Sequence, residues 1–282
     1  MIHIRLAGGL GNQLFQLAAG LEVQSVTNQP IVIYTSRLKK YAAKRDFSLL
    51  SVLKLPDNVT VSNKETFAIK LLKYRVGLLN LPFCVNNKTI QKINDKQPFY
   101  LVDGYFQNIK YIKKGIDSLK ILLKEYIQTC IDIKNLFSKI ITNTDIDEFC
   151  ALHIRRGDYI SPNNLSIYPS LNRDYYLTGL EQINSNVKSL VIFSDDKSVE
   201  FDFFENYKII RISDFKLSDH QEFILLALFK NIIIANSTFS FWSANCNTGL
   251  HKNKIAPSVW IYNDPENSFW MKNLEIENFK LI

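Results

Sequence analysis

The apolar and polar positions at the start of the chain predict a strand, a helix and a second strand. Residues 2–6 form a short apolar run that ends at a glycine-rich loop. Over residues 12–28 the apolar side chains recur at the i, i+3, i+4 and i+7 spacing of one helix face. Pro30 closes that pattern, and residues 31–34 form a second apolar run. This order of elements is typical of the beginning of an α/β domain.

The pattern is weaker between residues 36 and 148, where lysine is frequent. It predicts helices around residues 66–79 and 108–140, and a strand at residues 99–102.

The second half of the chain alternates apolar runs with helical patterns. The runs predict four buried strands, at residues 149–154, 190–193, 208–212 and 231–235. The helical patterns lie between and after these runs, at residues 174–184, 218–230 and 241–250. Alternation of this kind predicts a parallel sheet covered on both faces. We therefore expect two α/β domains, residues 1–147 and residues 148–282.

Composition and charge narrow the class of protein. Hydrophobic residues make up 46% of the 282 residues and charged residues 22%, which excludes a disordered or fibrous chain. The longest apolar run, residues 223–229, is far shorter than the roughly 20 residues that span a bilayer. The chain carries 34 Lys and Arg against 27 Asp and Glu, a formal charge of +7. That excess favours an anionic partner, which could be a nucleic acid, a lipid surface or a phosphorylated substrate.

The N-terminal residues and the cysteines indicate the cellular compartment in which we expect the protein. The N-terminus lacks the basic start and long apolar core of a secretory signal, so we expect a cytoplasmic protein. The four cysteines are far apart and form no CxxC pair, so we expect them to remain thiols in a reducing compartment. They are Cys84, Cys130, Cys150 and Cys246.

The most informative segment is HIRRGD at residues 153–158, which directly follows a predicted buried strand. Ligands in open α/β sheets bind outside the carboxyl ends of the strands, so this segment lies where a site would form. Arg155 and Arg156 offer planar forks of donors that match phosphate oxygens. The alternative is a solvated basic turn in which Asp158 is the salt-bridge partner.

A glycine loop, GGLGNQ at residues 8–13, joins the first strand to the first helix. Glycine lets the backbone approach a ligand closely, and a helix N-terminus presents N–H groups to an anion. The spacing is neither that of the dinucleotide fingerprint GxGxxG nor that of a Walker loop. A phosphate loop and a simple tight turn both remain open.

Two further polar segments follow predicted strands. FSDD at residues 193–196 offers Asp195 and Asp196, which could bind a nucleotide base or ribose or could cap the next helix. ANSTFSFW at residues 235–242 joins a strand to a helix and offers either a second anion site or a plain helix cap. Four polar loops at strand ends favour a binding site more strongly than any one of them does.

The sequence holds no HExxH or GxSxG motif and no His, Cys and carboxylate cluster with metal-ligand spacing. DID at residues 145–147 matches the DxD pattern of metal-dependent sugar transferases. However, it precedes its strand instead of ending one, so we interpret it as a solvated turn. We predict no metal site.

Six segments together resemble the family 11 glycosyltransferases, which are α-1,2-fucosyltransferases, in order and spacing along nearly the whole chain. The HxRRxD motif is shared with α-1,6- and protein O-fucosyltransferases, whereas the full set is more specific. One departure is FWS at residues 241–243, where the family commonly has two tryptophans and a glycine. The segments are GGLGNQLFQ (8–16), DGYFQ (103–107), HIRRGDY (153–159), FSDD (193–196), IIIANSTFSFWSA (232–244) and IAP (255–257).

The resemblance implies a GT-B-like α/β architecture, with two Rossmann-type domains and the active site in the cleft between them. The first domain, residues 1–147, would be the acceptor side, and the second, residues 148–282, would be the nucleotide-sugar side. It implies an enzyme that transfers fucose from GDP-fucose, with inversion at the anomeric carbon and without a metal or other cofactor. Negative charge builds on the departing GDP, and without a metal that charge needs fixed cationic donors.

The resemblance also implies roles for single residues around the arginine motif. Arg155 would stabilise the leaving GDP, Arg156 would assist it or hold the loop, and Asp158 would orient the arginines. The base that takes the acceptor proton is not identified, because Asp158 and the leaving phosphate are both candidates.

The other implied roles concern donor binding. His153 and one of Asp195 and Asp196 would lie near the guanosine. The glycine loop of the first domain would approach the donor, and the hydroxyls of the later strand-to-helix loop would bind phosphate. These two loops contribute Gly9, Gly11, Asn12, Ser237, Thr238 and Ser240.

We therefore expect transfer of fucose to the 2-hydroxyl of a terminal β-galactoside in a surface polysaccharide or O-antigen precursor. The acceptor is expected to be lipid-linked, and the basic surface would hold the protein near anionic lipid. The alternatives are a related transferase with another deoxysugar or linkage, and a non-catalytic protein that binds a nucleotide sugar or glycan. Nucleic-acid binding is the least favoured hypothesis, because the sequence lacks the Gly–aromatic signature of an RNA-recognition sheet.

Overall fold

The computed structural model divides into two compact units, Met1–Tyr126 and Ile127–Ile282. It describes residues 1–39, 46–67, 69–70, 83–141, 145–156, 162–183, 186–196, 204–246, 253–263 and 265–282.

The first unit is built on a five-stranded sheet in which every pairing is parallel. The order is β3-β2-β1-β5-β4, so the chain starts in the middle, extends one side and then crosses to the other. Ile2 and Ile4 of β1 pair with Ile31 and Ile33 of β2, and all four are fully buried. The strands are β1 (Ile2–Arg5), β2 (Ile31–Tyr34), β3 (Val59–Ser62), β4 (Cys84–Val85) and β5 (Tyr100–Val102).

Two helices of the first unit approach each other closely. Helix α1 (Leu10–Thr27) ends at Asn28, which adopts the left-handed conformation with φ 54°. Helix α2 (Lys113–Thr129) follows a short 3₁₀ turn. At Gly115 a Cβ atom would lie 1.9 Å from the Ala18 carbonyl oxygen, so only glycine fits this contact.

The second unit is built on a six-stranded sheet, again with every pairing parallel. Its order is β11-β10-β9-β6-β7-β8. Counted from β6 as the first strand, this is the 3-2-1-4-5-6 order of a Rossmann fold. The strands are β6 (Phe149–Ile154), β7 (Ser189–Ser194), β8 (Lys208–Arg211), β9 (Asn231–Ile233), β10 (Asn253–Ala256) and β11 (Lys280–Leu281).

Two helices of this unit, those that begin after Asn172 and Ser218, start at recognisable caps. The Asn172 side chain accepts a hydrogen bond from the Tyr175 N–H, and Ser218 and Gln221 form a capping box. The helices are α3 (Ile131–Ile141), α4 (Pro162–Leu165), α5 (Arg173–Gln182), α6 (Asp219–Leu226), α7 (Thr238–Asn245) and α8 (Glu266–Ile276).

The predicted GT-B-like α/β class, with two parallel sheets, is confirmed. The predicted domain division at 147/148 differs from the division of the compact units, which lies at 126/127. The reason is α3, whose Phe137 ring packs edge-on against Phe229 at a centroid distance of 5.0 Å.

Several predicted elements need correction. The single helix predicted at residues 108–140 is two helices, because the Cys130 N–H bonds to the i−3 carbonyl of Ile127 and ends the first one. The strand predicted as buried at residues 208–212 is β8, which is half-exposed because it lies at the sheet edge. Most of the helix predicted at residues 66–79 falls outside the described residues.

The four cysteines are thiols, as expected, and three of them are buried. Among the described helices, none is both long and apolar enough to cross a bilayer.

Candidate active site

The order of the second sheet marks one place as a ligand site. Strands β6 and β9 are neighbours, and the chain extends in opposite directions from them along the sheet. Ligands of open α/β sheets bind outside the carboxyl ends of the strands at such a switch point. The arginine motif follows β6 and the hydroxyl-rich loop follows β9, so both flank it.

Asp195 holds the two arginines of the motif. The Arg155 guanidinium lies 2.6 Å from one Asp195 oxygen. The Arg156 backbone N–H donates to the other oxygen at 2.9 Å. Asp196 lies 3.8 Å from the Arg156 side chain. Since Ile154 of β6 pairs with Ser194 of β7, the residues that follow each strand are brought together by the register.

The role predicted for Asp158 cannot be compared with this geometry, because Asp158 lies outside the described residues. Within the described ones, Asp195 has the orienting contacts that the sequence interpretation gave to Asp158. The signal that could have identified the Arg155–Asp195 pair is positional, since each residue comes directly after one of two adjacent parallel strands.

The arginine side chains remain accessible despite these contacts. The Arg155 side chain is 25% exposed and that of Arg156 is 43% exposed. A carboxylate that fixes a guanidinium from one side leaves its other N–H donors directed elsewhere. The Arg155 guanidinium held in this way, with the Arg156 side chain beside it, can donate hydrogen bonds to a phosphate group.

His153 is a neutral, buried side chain at the base of the motif. Its ring stacks on Phe239 at a centroid distance of 5.7 Å, and its backbone carbonyl accepts a hydrogen bond from the Tyr176 hydroxyl. Burial, with Arg155 nearby, lowers the pKa of His153 to about 3. Within the described part of the chain its Nδ1 has no hydrogen-bond partner. A bound ligand could supply the hydrogen-bond partner of such a buried polar atom.

The loop after β9 is buried and leads directly into α7. Asn236 is buried, and its side-chain amide donates to the Trp260 carbonyl at 3.0 Å. Ser237 is the N-cap residue and Thr238 is the first residue of the helix. The Ser240 hydroxyl is fully buried and lies 3.2 Å from the Ala235 and Ser237 carbonyls. A phosphate contact from Ser240 would require its hydroxyl to leave these carbonyls, whereas Thr238 is partly exposed.

The departure at residues 241–243 is accommodated by packing. Phe241 lies edge-on to Trp270 at 5.4 Å and stacks on Phe279. The buried Ser243 hydroxyl donates to the Phe223 carbonyl at 2.7 Å. A serine therefore fits in place of glycine, because its hydroxyl has a partner.

The glycine loop of the first unit is held rigidly. Gly8 has φ 80°, whereas Gly9 is extended and Gly11 lies within α1. The Asn12 side-chain oxygen accepts a hydrogen bond from Gln107 of the DGYFQ segment at 2.8 Å. The sequence interpretation named Gly9, Gly11 and Asn12, but the glycine in the left-handed region is Gly8.

Two buried glutamines, which the sequence interpretation did not single out, fix this loop. Gln16 bonds to both the N–H and the carbonyl of Ala7, and Gln13 donates to the Gly8 carbonyl at 3.1 Å. Both glutamines are almost fully buried in an otherwise apolar helix. A buried amide in an apolar helix is the signal that could have identified them.

The DID segment forms a turn, as predicted. The Asp145 side chain accepts the Asp147 N–H at 3.0 Å and caps a short 3₁₀ helix. Among the described residues, no group of three or more His, Cys, Asp or Glu side chains is arranged to hold a metal ion.

Comparison with known proteins gives relatives that match nearly the whole chain. The chain is 29% identical to the O-antigen biosynthesis glycosyltransferase WbnK of Escherichia coli, over 90% of this chain and 93% of that one. It is also 29% identical to an alpha-1,2-colitosyltransferase of Escherichia coli, over 95% of each chain.

Among solved structures, the alpha-1,6-fucosyltransferase NodZ of Bradyrhizobium, soaked with GDP-fucose, superposes with a TM-score of 0.53. The match covers 87% of this chain and 92% of that one at 12% identity, so it supports the fold alone. The sequence profile of glycosyl transferase family 11 matches residues 83–277, which include the arginine motif, Asp195 and the loop after β9. The chain therefore belongs to glycosyl transferase family 11.

Proposed function

We propose that the protein transfers L-fucose from GDP-fucose to the 2-hydroxyl of a terminal β-galactoside in an O-antigen precursor. The observation that carries the proposal is the Arg155–Asp195 pair, 2.6 Å apart, at the switch point of a Rossmann-ordered sheet. Family membership and the O-antigen relative support a glycosyl transfer in this kind of pathway.

The chemistry proposed for the arginines follows from the charge that develops in the transfer. The acceptor oxygen attacks the anomeric carbon, the bond from that carbon to the β-phosphate oxygen breaks, and GDP leaves with the bonding electrons. The acceptor proton passes to a protein base or to the departing phosphate. Arg155 stabilises the negative charge on the phosphate and Arg156 assists, while Asp195 holds the Arg155 side chain and the Arg156 backbone.

The same proposal gives the nucleoside side of the site to His153 and Asp196. His153 offers a neutral ring with an Nδ1 that has no partner among the described residues. Ser237 and Thr238, at the start of α7, are proposed to bind the diphosphate with the first N–H groups of that helix. Because guanidinium groups supply the positive charge, we propose that the transfer needs no metal.

One observation favours an alternative donor sugar. The relative that is an alpha-1,2-colitosyltransferase matches as well as the O-antigen transferase does. Colitose differs from fucose by the loss of one hydroxyl, and a site rejects such an analogue only where it hydrogen-bonds that hydroxyl. GDP-colitose is therefore the alternative donor.

The acceptor is proposed to be a lipid-linked oligosaccharide at the inner face of the cytoplasmic membrane. The net charge of +7 supports this, since each Lys or Arg near an anionic lipid surface contributes about 1 kcal/mol.

The test is a transfer assay followed by mass spectrometry. Purified protein is incubated with lactose and either GDP-fucose or GDP-colitose, with and without EDTA. We expect lactose to gain one deoxyhexose from GDP-fucose at the same rate in EDTA. If only GDP-colitose gives a product, GDP-colitose is the donor and not GDP-fucose. No product from either donor, together with no binding of GDP, would overturn the proposal.

A further inference from the structure

The first unit contains an ionic network that the proposed transfer chemistry does not use. Arg5, at the end of β1, is only 3% exposed. Its guanidinium donates to Glu65 at 3.1 Å and to Asp103 at 2.8 Å. Arg37 donates to the other Asp103 oxygen at 2.5 Å. We refer to Arg5, Arg37, Glu65 and Asp103 as the Asp103 network.

The network lies at the switch point of the first sheet. Strands β1 and β5 are neighbours, and the strand order reverses between them. Arg5 ends β1 and Asp103 directly follows β5. A cavity of about 90 Å³ opens there, lined by Arg5, Arg37, Asp103 and Tyr105 among others. By the rule for open α/β sheets, this is the place in the first unit where a ligand is expected to bind.

The charges of the network indicate what kind of ligand fits. Among the described residues, the two guanidinium groups of the network are paired with two carboxylates, so the network itself carries no net charge. The hydrogen bonds of Asp103 use one site on each carboxylate oxygen, and a carboxylate offers about four such sites. The remaining sites suit donors such as hydroxyl groups of a neutral sugar.

Tyr105 provides an aromatic surface beside this carboxylate. The side chain is 45% exposed, although it is a large hydrophobic residue. The loop that presents it is held in a strained conformation, with Phe106 at φ 52° and its N–H bonded to the Asn87 side chain. Backbone strain of this kind persists where the surroundings fix it, often at ligand sites. An exposed ring next to a carboxylate matches a sugar, which has both apolar C–H faces and hydroxyl edges.

We propose that Asp103, Arg37 and Tyr105 bind the acceptor sugar, with Arg5 as the buried group that positions Asp103. The inference rests on the proposed function, in which the acceptor is a β-galactoside. Asp103 acts as a hydroxyl-binding residue and not as the base, because both of its oxygens are already engaged by guanidinium groups. This pocket then selects the acceptor, whereas the second unit selects the donor.

The first test compares Asp103→Asn with Asp57→Asn. Asp57 is exposed and precedes β3, which is an edge strand of the same sheet and is separated from β5 by two strands. We expect Asp103→Asn to raise the KM for lactose at least tenfold, since a hydrogen bond to a charged group is lost. The KM for GDP-fucose should stay within twofold, and Asp57→Asn should change neither value. Equal lactose KM values in the two variants would overturn the proposal.

A second test does not depend on the donor. Binding of lactose alone is followed by saturation-transfer NMR in wild type, Tyr105→Ala and Asp103→Asn. Tyr105 is exposed, so its replacement keeps the test valid if Asp103→Asn fails to fold. Loss of the lactose signal in Tyr105→Ala supports the pocket even where GDP-fucose is not the donor. The acceptor would bind elsewhere if the wild type transfers fucose but both variants keep the lactose signal. Wild type that neither binds lactose nor transfers to it would overturn both proposals.

Discussion

At the scale of single residues, the site of the second unit depends on one carboxylate with two different contacts. Asp195 binds the Arg155 side chain through one oxygen and the Arg156 backbone through the other. The Asp196 carboxylate lies 3.8 Å from the Arg156 side chain. The two neighbouring aspartates therefore have distinct roles that the FSDD segment alone does not separate.

This difference predicts unequal effects of matched substitutions. Asp195→Asn keeps the shape but removes the charge that holds Arg155, so we expect kcat for fucosyl transfer to fall about tenfold or more. Asp196→Asn should change kcat by less than threefold and act mainly on the KM for GDP-fucose. Steady-state kinetics with both variants measures this. A larger loss of kcat in Asp196→Asn than in Asp195→Asn would reverse the assignment.

A second residue-scale prediction concerns pH. Burial, followed by repulsion from Asp219, raises the pKa of Glu222 to about 7, whereas the unfolded value is about 4.3. The folded protein therefore binds the proton more tightly. The stability that this proton contributes is complete below about pH 4.3 and is lost as the pH rises through about 7.

Glu222→Gln tests this linkage. At pH 8 the variant should have a free energy of unfolding higher by on the order of 1–2 kcal/mol, after allowance for solvent screening of a partly exposed group. At pH 4 the difference should vanish. Glu266→Gln, an exposed acid in the first turn of α8, is the control. Urea denaturation at both pH values gives the result, and an equal gain at pH 4 and pH 8 would contradict it.

At the scale of elements, the contact between α1 and α2 depends on Gly115. A Cβ atom there would lie 1.9 Å from the Ala18 carbonyl, whereas a Cβ at Gly9 would meet nothing within 4 Å. We expect Gly115→Ala to lower the free energy of unfolding by about 3 kcal/mol, because one helix must move. Gly9 is the N-cap residue of α1, so Gly9→Ala should lower it by at most about 1 kcal/mol. Similar denaturation midpoints for the two variants would show that the helices separate freely.

The elements that the sequence predicts well are those with a clear pattern of apolar residues. The β6 run at residues 149–154 matches the observed strand, because six consecutive buried residues leave no ambiguity. Strand β3 was not predicted because only its first residue is buried. Strands β4 and β11 were not predicted because each is two residues long. A short or half-exposed strand is defined by its neighbours in the sheet, which a local pattern does not contain.

At the scale of the whole molecule, alternation of strands and helices predicted parallel sheets, but the strand order came only from the structure. The sequence placed Arg155 and Asp195 at strand ends, and the adjacency of β6 and β7 explains why they meet. Arg5 illustrates the limit of sequence reasoning. It appears inside an apolar run, and its partners Glu65 and Asp103 are 60 and 98 residues away. Only the order of the first sheet brings them together.

The central claim is that Arg155, fixed by Asp195, stabilises the departing GDP. The most direct measurement is kcat for fucosyl transfer by Arg155→Ala, with Arg211→Ala at the end of β8 as the matched control. Removal of one preorganised donor costs about 2.7–4 kcal/mol, so Arg155→Ala should lose about 100-fold or more in kcat while its thermal midpoint stays that of the wild type. Arg211→Ala should keep its rate. An Arg155→Ala protein that is folded and retains more than about a tenth of the wild-type rate would contradict the claim.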